Sequence, residues 1–224
     1  MHIGFIMDGN RRWAKQHMLQ TFLGHQEGSK RVEEIIEICY NEGVEYCSFW
    51  ALAKKNIENR SEEELKYLYK LFEEIVEKLL PKLLEKNIKF EWVGNPEILP
   101  SHIVELLDTT KEKAKDGTKM TFILTIGYGG QDEIIRGIKN FVKQGGDIDS
   151  LDENTFLPFL DTGRFPAPDL IIRTGGDTRL SGYFLYQSEY SEYYFTPTLW
   201  PDFKEEEFHK AFETIKGARR MFGK

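Results

Sequence analysis

Residues 3–15 read IGFIMDGNRRWAK, and this stretch decides the fold because an apolar run, residues 3–7, passes directly into a polar turn. A short apolar run bounded by turn residues predicts a buried strand. Gly9 lets a ligand approach the backbone, Asn10 tolerates unusual dihedral angles, and the free N–H and guanidinium groups that follow are donors for phosphate oxygens. The turn therefore predicts a polyanion site, and a diphosphate fits it.

Asp8 is the single carboxylate of this turn. A carboxylate among cations would repel a phosphate unless a hard metal ion lay between them, and a carboxylate oxygen suits Mg²⁺. We therefore expect Mg²⁺ as the cofactor, with Asp8 as one of its ligands.

The composition is that of an ordinary enzyme domain. The chain has 224 residues, of which 40% are hydrophobic and 30% charged, so we expect residues 1–224 to form one domain with a real core. The formal net charge of −7 argues against a general nucleic-acid-binding protein. Because no apolar run approaches the roughly 18 residues of a membrane span and the first strand leaves no room for a signal peptide, we expect a cytoplasmic protein. Cys39 and Cys47 lack metal-site spacing and should be buried thiols.

Strand-like and helix-like patterns alternate along the rest of the chain. Apolar, aromatic-rich runs predict strands. These runs are residues 46–52, 88–93, 120–126 and 170–172. Helical stripes lie between and after them, and the longest covers residues 65–83, where Pro81 should bend the helix. The alternation predicts an α/β fold, with a mostly parallel central sheet flanked by helices.

Two further polar segments lie where predicted strands end. Residues 127–132 (GYGGQD) form a glycine-rich turn, which fits a ligand site and a plain strand-to-helix turn equally well. Residues 173–181 (RTGGDTRLS) place two arginines around paired glycines, which suits a second diphosphate better than a salt-bridged surface. Because ligands of open α/β sheets bind outside the carboxyl ends of the strands, the two basic clusters should face one cleft.

Three separated motifs carry a resemblance that covers the chain from its first strand to its end. They are MDGNRRWAK at residues 7–15, followed by Gly24 and His25; DLIIRTGGDTRLS at residues 169–181; and YSEYYFTPTLWPDF at residues 190–203. Together they resemble the cis-prenyltransferases of the undecaprenyl diphosphate synthase family. The resemblance implies a homodimer of α/β subunits. It also implies a reaction in which isopentenyl diphosphate adds repeatedly to an allylic diphosphate, such as farnesyl diphosphate, with Z double bonds and loss of diphosphate, giving a polyprenyl diphosphate precursor of a lipid carrier.

The resemblance also implies roles for the matching residues. Asp8 resembles the family's catalytic aspartate and magnesium ligand, and Glu192 resembles a glutamate that completes the metal site, typically from the partner subunit. The residues expected around the allylic diphosphate are Gly9, Asn10, Arg11, Arg12, Trp13 and His25. Those expected around isopentenyl diphosphate are Arg173, Arg179, Leu180 and Ser181. A packed or capping His25 and a surface carboxylate at Glu192 remain alternatives.

The segment after the second predicted strand departs from the family pattern. Residues 53–60 read AKKNIENR, one residue longer than the usual loop and without its serine and glutamate. Asn56 matches the catalytic asparagine, although the insertion makes Asn59 a competitor, and Arg60 matches the substrate-binding arginine. We expect the segment to be a flexible cationic loop that closes as a lid over the allylic substrate.

Charge is also redistributed around this segment. Thr21 stands where bacterial relatives commonly carry a diphosphate-binding arginine, whereas Arg11 adds a cation where they carry glycine. We expect Ala53, Lys54 and Lys55 to contact the substrate, with the two lysines supplying the charge that Thr21 does not.

Several expectations concern surfaces and aromatic residues. Residues 183–200 are too aromatic for a solvated surface, and the resemblance places them at the homodimer interface. Any membrane contact should be peripheral, for product release. Arg219 and Arg220 resemble a basic family tail, but a solvated helix end fits equally well. Some aromatic side chains could line a tunnel for the growing product, although most should be core: Phe49, Trp50, Phe72, Phe90 and Trp92.

Two other functions deserve comparison with a Mg²⁺-dependent cis-prenyltransferase. A noncatalytic subunit with the same fold is the closest rival. The presence of all four residues expected to act on the substrates argues against it: Asp8, Arg173, Arg179 and Ser181. A nucleotide-binding protein is a distant third, because the chain lacks a Walker-type lysine beside its glycine turn.

Overall fold

The computed structural model describes residues 1–217, and its centre is a six-stranded sheet. The strands are β1 (His2–Ile6), β2 (Tyr46–Ala53), β3 (Ile88–Val93), β4 (Met120–Tyr128), β5 (Leu170–Arg173) and β6 (Glu192–Phe195). Their order is β3-β4-β2-β1-β5-β6, and each neighbouring pair is parallel. The predicted α/β fold with a parallel central sheet is confirmed.

Helices connect the strands and cover the sheet. They are α1 (Asn10–Gln16), α2 (Thr21–Asn41), α3 (Lys54–Asn59), α4 (Glu62–Glu85), α5 (Ser101–Lys113), α6 (Gly130–Lys143), α7 (Glu153–Phe156) and α8 (Glu205–Gly217). The long helix α4 begins where the Ser61 hydroxyl accepts a hydrogen bond from the Glu64 backbone N–H at 3.2 Å, which satisfies one of its free donors. Pro81 lies inside α4.

The apolar stripes of the helices pack on the sheet and make two clusters of buried side chains. The larger one contains side chains from the four strands β1 to β4 and from helices α2, α4 and α8. Cys39 and Cys47 lie buried in it as free thiols, as predicted. The smaller one includes Tyr128, Ile171 and Tyr183. Because all strands are parallel, their carboxyl ends meet at one edge of the sheet, where β1, β2, β4 and β5 deliver polar turns.

Two elements differ from the sequence-based prediction. Residues 54–59 form the helix α3 rather than a flexible loop. The segment contains neither glycine nor proline, and Lys54 pairs with Glu58 one turn later, with Nζ and Oε1 2.8 Å apart, so a short helix is favoured. Strand β6 was not predicted, because its exposed and half-buried side chains do not form an apolar run and its pairing with β5 is a tertiary contact.

The aromatic segment 183–200 is buried in its own chain at both ends. Tyr183, Phe184 and Trp200 are buried, and Tyr183 stacks on Trp50 with 5.1 Å between ring centroids. These three residues therefore need no partner subunit to be shielded from solvent. Tyr190 and Tyr193 are exposed, and the placement of the segment at a homodimer interface stays a prediction.

Two further expectations from the sequence concern the basic tail and membrane-spanning helices. Arg219 and Arg220 lie outside the described residues. Within residues 1–217, no helix combines the length and the apolar character needed to cross a membrane.

Candidate active site

The turn after β1 is held from both sides by distant parts of the chain. Gly9 has φ +113°, and a Cβ there would lie 2.9 Å from Leu199 Cα, so only glycine fits. The backbone oxygen of Asp8 accepts hydrogen bonds from the Trp200 N–H at 3.0 Å and from the Thr174 hydroxyl at 2.6 Å. The Asp8 side chain therefore projects from a fixed backbone.

The Asp8 carboxylate lies between two arginines. Its Oδ1 is 3.0 Å from Arg12 Nη2, and its Oδ2 is 3.0 Å from Arg173 Nη2. Partial burial alone would raise the pKa of Asp8, but the hydrogen bonds from Arg173 and Arg12 outweigh it and the pKa lies below its usual value. Asp8 is thus ionised at neutral pH and ready to bind a cation.

Arg173 ends β5 and is the most fixed cation of the site, since its side chain is only 6% exposed. Its Nη1 donates to the Ser181 hydroxyl at 2.8 Å, and its Nη2 also contacts Asp177 Oδ2 at 3.1 Å. Its Nε is buried and has no hydrogen-bond partner. Arg173 and Ser181 both line the cleft described below.

Arg179 and Leu180 do not line that cleft. The Arg179 side chain is 64% exposed, and its guanidinium is paired with both oxygens of Asp177 at 2.9 and 2.7 Å. Leu180 packs beside the smaller core cluster. The structure thus brings Arg173 and Ser181 to the site and turns Arg179 outward.

The two predicted basic clusters face one cleft of about 1040 Å³ at the carboxyl edge of the sheet. Its walls include the turn after β1, the start of α1, helix α3, residues 128–132 of the glycine-rich turn and the end of β5. The predicted site residues that line it are Asp8, Gly9, Asn10, Arg11, Arg12, His25, Ala53, Lys54, Lys55, Asn56, Arg60, Arg173 and Ser181. The glycine turn is therefore part of the cleft as well as a strand-to-helix turn.

Helix α3 brings a different set of cations to the opposite wall. Lys54 is paired with Glu58 and, with Nζ and Oδ1 3.5 Å apart, with Asp132 of α6, whereas Lys55 is exposed. Asn56 lines the cleft, while the Asn59 amide, which donates to the Lys55 backbone oxygen at 2.6 Å, does not.

Arg60 completes this wall immediately after α3. Its side chain is 15% exposed and lies 3.6 Å from Glu64 Oε1. Burial lowers the pKa of Arg60, and the Arg11 charge adds to the effect even though Glu64 opposes it.

His25 lies in α2 at the junction of the cleft with an apolar cavity of about 110 Å³ between α2, α4 and β4. Burial, followed by the charges of Arg60 and Arg11, lowers the pKa of His25 to about 4, so the ring is neutral at pH 7. Its Nε2 is buried without a hydrogen-bond partner. Phe72 lines the apolar cavity and Trp50 lines the cleft.

Trp13 does not line the cleft. Its ring stacks on His17 with 4.1 Å between centroids, and its indole N–H donates to Asp202 at 2.9 Å. Trp13 thus ties α1 to the segment that follows Trp200.

The donor set fits Mg²⁺ in part. Within residues 1–217 no group of three His, Cys, Asp or Glu side chains is close enough to hold a metal ion. Asp8 faces the cleft as an ionised carboxylate, whereas the carboxylates of Glu58 and Asp132 on the same cleft are paired with Lys54. One such carboxylate suits a cation that takes one or two carboxylates and completes its shell with substrate phosphates and water. Glu192 is exposed at the start of β6, in register with the start of β5, so it lies at the opposite edge of the sheet from Asp8.

The sequence analysis missed the residues whose hydrogen bonds and ion pairs position the predicted site residues. Asp177 contacts both Arg173 and Arg179, and Asp132 contacts Lys54. The spacing of Arg173 and Asp177 within one motif could have indicated the first pair. The bonds of Thr174 and Trp200 to Asp8 carry no local sequence signal, because they join residues more than 160 positions apart.

Comparisons with known proteins agree with this geometry. Residues 6–223 match the family model described as "Putative undecaprenyl diphosphate synthase". The isoprenyl transferase of Aquifex aeolicus (strain VF5) is 38% identical, over 100% of this chain and 95% of that protein. A ditrans,polycis-undecaprenyl-diphosphate synthase of Micrococcus luteus, named as (2E,6E)-farnesyl-diphosphate specific, is 37% identical over 99% and 90%.

Solved structures show the same architecture. A lavandulyl diphosphate synthase from Lavandula x intermedia, in complex with dimethylallyl diphosphate, has a TM-score of 0.93 and 33% identity, with 100% of this chain and 98% of that chain covered. A probable undecaprenyl diphosphate synthase from Campylobacter jejuni has a TM-score of 0.83 and 28% identity at the same coverage.

Proposed function

Because the chain belongs to the undecaprenyl diphosphate synthase family and is a cis-prenyltransferase, we propose that its cleft condenses isopentenyl diphosphate with an allylic diphosphate such as farnesyl diphosphate. The observation that carries the proposal is the Asp8 carboxylate held between Arg12 and Arg173, at 3.0 Å from each, in a cleft that meets an apolar cavity at His25. Such a site can bind two polyanions and receive an apolar chain. The product would be a polyprenyl diphosphate with Z double bonds.

The allylic diphosphate binds against the start of α1. Gly9 and Asn10 bring the backbone close to the phosphate oxygens, and Arg11 and Arg12 supply charge-assisted hydrogen bonds. His25 lies at the mouth of the apolar cavity, so the hydrocarbon tail of this substrate points between α2 and α4.

Isopentenyl diphosphate binds against the end of β5. Arg173 and Ser181 are already bonded to each other and present their donors to the cleft. Arg179 joins them by leaving Asp177, which needs only a change of its exposed side chain. Asn56 of α3 orients the reacting end from the opposite wall.

Asp8 would hold Mg²⁺ at this site, with Glu192 of the partner subunit as a second protein ligand. When bound, the ion would neutralise charge that develops on the departing diphosphate. Arg173 acts in the same direction, because its bonds to Asp8, Asp177 and Ser181 fix its position before the C–O bond breaks. A proton acceptor beside the condensing unit must then remove one proton from it.

A homodimer is part of the proposal, and we extend its interface from residues 183–200 to α6. This helix turns Gly130, Glu133 and Phe141 inward, whereas Ile135 and Val142 are more than half exposed. An apolar stripe on the outer side of a helix is typical of a subunit interface. We place the protein in the cytoplasm, with no more than peripheral membrane contact.

One assay tests the proposed function. Purified protein with Mg²⁺, farnesyl diphosphate and labelled isopentenyl diphosphate should form labelled polyprenyl diphosphate, and the length of the product is read from the same reaction. Light scattering should give the mass of a dimer. A well-folded protein without any turnover, which gains activity only when a second family member is added, would instead show the noncatalytic subunit.

A further inference from the structure

The turn between α1 and α2 exposes apolar side chains. Met18 is 94% exposed, and Leu19 and Phe22, which follow it, are also exposed. We name these three side chains the turn patch. Exposed apolar residues are ordinary when they are scattered, but here three lie within five positions of one turn.

The backbone of the turn patch is strained in a way that glycine would relieve. Met18 has φ +56°, the left-handed conformation that usually falls to glycine after a helix. Two hydrogen bonds fix the turn, from Met18 N–H to the Lys15 oxygen at 3.1 Å and from Leu19 N–H to the Ala14 oxygen at 2.8 Å. The chain thus keeps an exposed apolar side chain at a position where glycine would relieve the strain in the backbone.

The charge around the turn patch has the opposite sign from the chain as a whole. Residues 9–26 contain two arginines, one lysine and no aspartate or glutamate, although the formal net charge of the whole chain is −7. Lys15, which accepts the bond from Met18, is exposed. The first acidic side chains of the two helices are Glu27 on α2 and Glu62 on α4.

The turn patch lies at one end of the seam between α2 and α4. Phe22 contacts Tyr67 of α4, with 5.0 Å between ring centroids. About one turn further along each helix, His25 and Leu71 line the apolar cavity. The exposed patch and the apolar cavity are therefore neighbours along the same pair of helices.

We propose that the turn patch inserts into the interface of an anionic phospholipid bilayer and holds the seam between α2 and α4 against it. The apolar side chains enter the headgroup layer, while Lys15 meets the anionic lipids; these are the two signals that stable peripheral binding needs. That the seam then delivers a lipid product rests on the proposed function, but the binding itself does not.

The test is sedimentation of the full-length protein with vesicles of phosphatidylcholine that contain about one third phosphatidylglycerol. The triple variant Met18→Gly, Leu19→Gln, Phe22→Gln should reduce the bound-to-free ratio by at least about tenfold. Lys15→Gln should reduce it by about fivefold. Leu84→Gln is the matched control, because Leu84 is equally exposed apolar surface near the opposite end of α4, and it should bind like the wild type.

Met18→Gly alone separates a surface role from a folding defect. It should keep or raise the free energy of unfolding, since glycine suits φ +56°, and still weaken vesicle binding. The proposal is overturned if the wild type does not sediment with anionic vesicles, if pure phosphatidylcholine binds it equally well, or if the triple variant matches the wild type. Prenyl transfer measured in detergent without vesicles reports on the proposed function separately.

Discussion

The two cationic walls of the cleft differ in how their charges are held. On the β1–β5 side, Arg173 is almost completely buried and bonded to Asp8, Asp177 and Ser181. On the α3 side, Lys55 is exposed and Lys54 is bonded to carboxylates on α3 and α6. One wall has fixed donors, and the other has donors that can move.

The difference suggests a division of tasks between the walls. Donors that are fixed before the reaction stabilise developing charge without reorganising, so the β1–β5 wall should control the chemical step. Donors on exposed or exchangeable side chains can follow a substrate as it enters, so the α3 wall should control binding. Substitutions on the β1–β5 wall should therefore change kcat or the use of isopentenyl diphosphate, whereas those on the α3 wall should change the KM for farnesyl diphosphate.

The largest expected effect is that of Asp8→Ala. It should lower kcat at least about 10²-fold, because Asp8 acts mainly as charge develops on the leaving diphosphate. Circular dichroism should show an intact fold, and Asp149→Ala, which removes an exposed carboxylate, should leave kcat unchanged. Full turnover in the presence of EDTA would contradict a metal at Asp8.

Arg173→Gln should come next. Loss of one charge-assisted contact of about 1.5–3 kcal/mol should raise the KM for isopentenyl diphosphate about 10- to 150-fold. Arg179→Gln is the matched control, because its side chain is exposed, and its effect should stay below about tenfold. Equal effects of the two substitutions would mean that burial of the first arginine is irrelevant to its role.

A smaller effect should follow from neutralising the α3 wall. Lys54→Gln together with Lys55→Gln should raise the KM for farnesyl diphosphate about tenfold, or about 1.4 kcal/mol, and leave that for isopentenyl diphosphate nearly unchanged. Most of the change should come from Lys55, since Lys54 is already paired. Thr21→Arg should recover much of the loss. An unchanged KM for farnesyl diphosphate in the double variant would mean that both lysines are only solvated residues on the surface of α3.

The smallest expected effect concerns His25, which lies between the walls. Because the Arg60 charge adds to burial in lowering the pKa of His25 to about 4, Arg60→Gln should raise that pKa. Inorganic diphosphate should raise it further by placing negative charge in the cleft. Titration followed by NMR measures both shifts. A pKa that falls on diphosphate binding would place the anion elsewhere.

Strong local patterns were enough to predict most of the sheet from the sequence. The run 88–93 became β3 without change, and 120–126 became the greater part of β4, because each is a largely buried apolar run. Strand β6 has no such run and depends on β5 for its pairing. Helix α3 was missed because a resemblance to a loop outweighed its own helix-compatible composition.

The site was predictable as a set of residues but not as a set of contacts. The motif around Asp8 and the motif around Arg173 indicated which side chains meet, since both follow parallel strands. The outward turn of Arg179 depends on Asp177, and the paired state of Lys54 depends on Asp132. Such competition between partners is decided in three dimensions, so no spacing within one motif reveals it.

The bonds from Thr174 and Trp200 to the Asp8 backbone oxygen also have a consequence for synthesis. Asp8 leaves the ribosome well before Thr174 and Trp200, so its turn is completed only when these residues, more than 160 positions later, arrive. Because β1 also lies between β2 and β5, the centre of the sheet waits for residue 173. A nascent chain that stops before Trp200 therefore lacks the finished catalytic turn, however well its first half has folded.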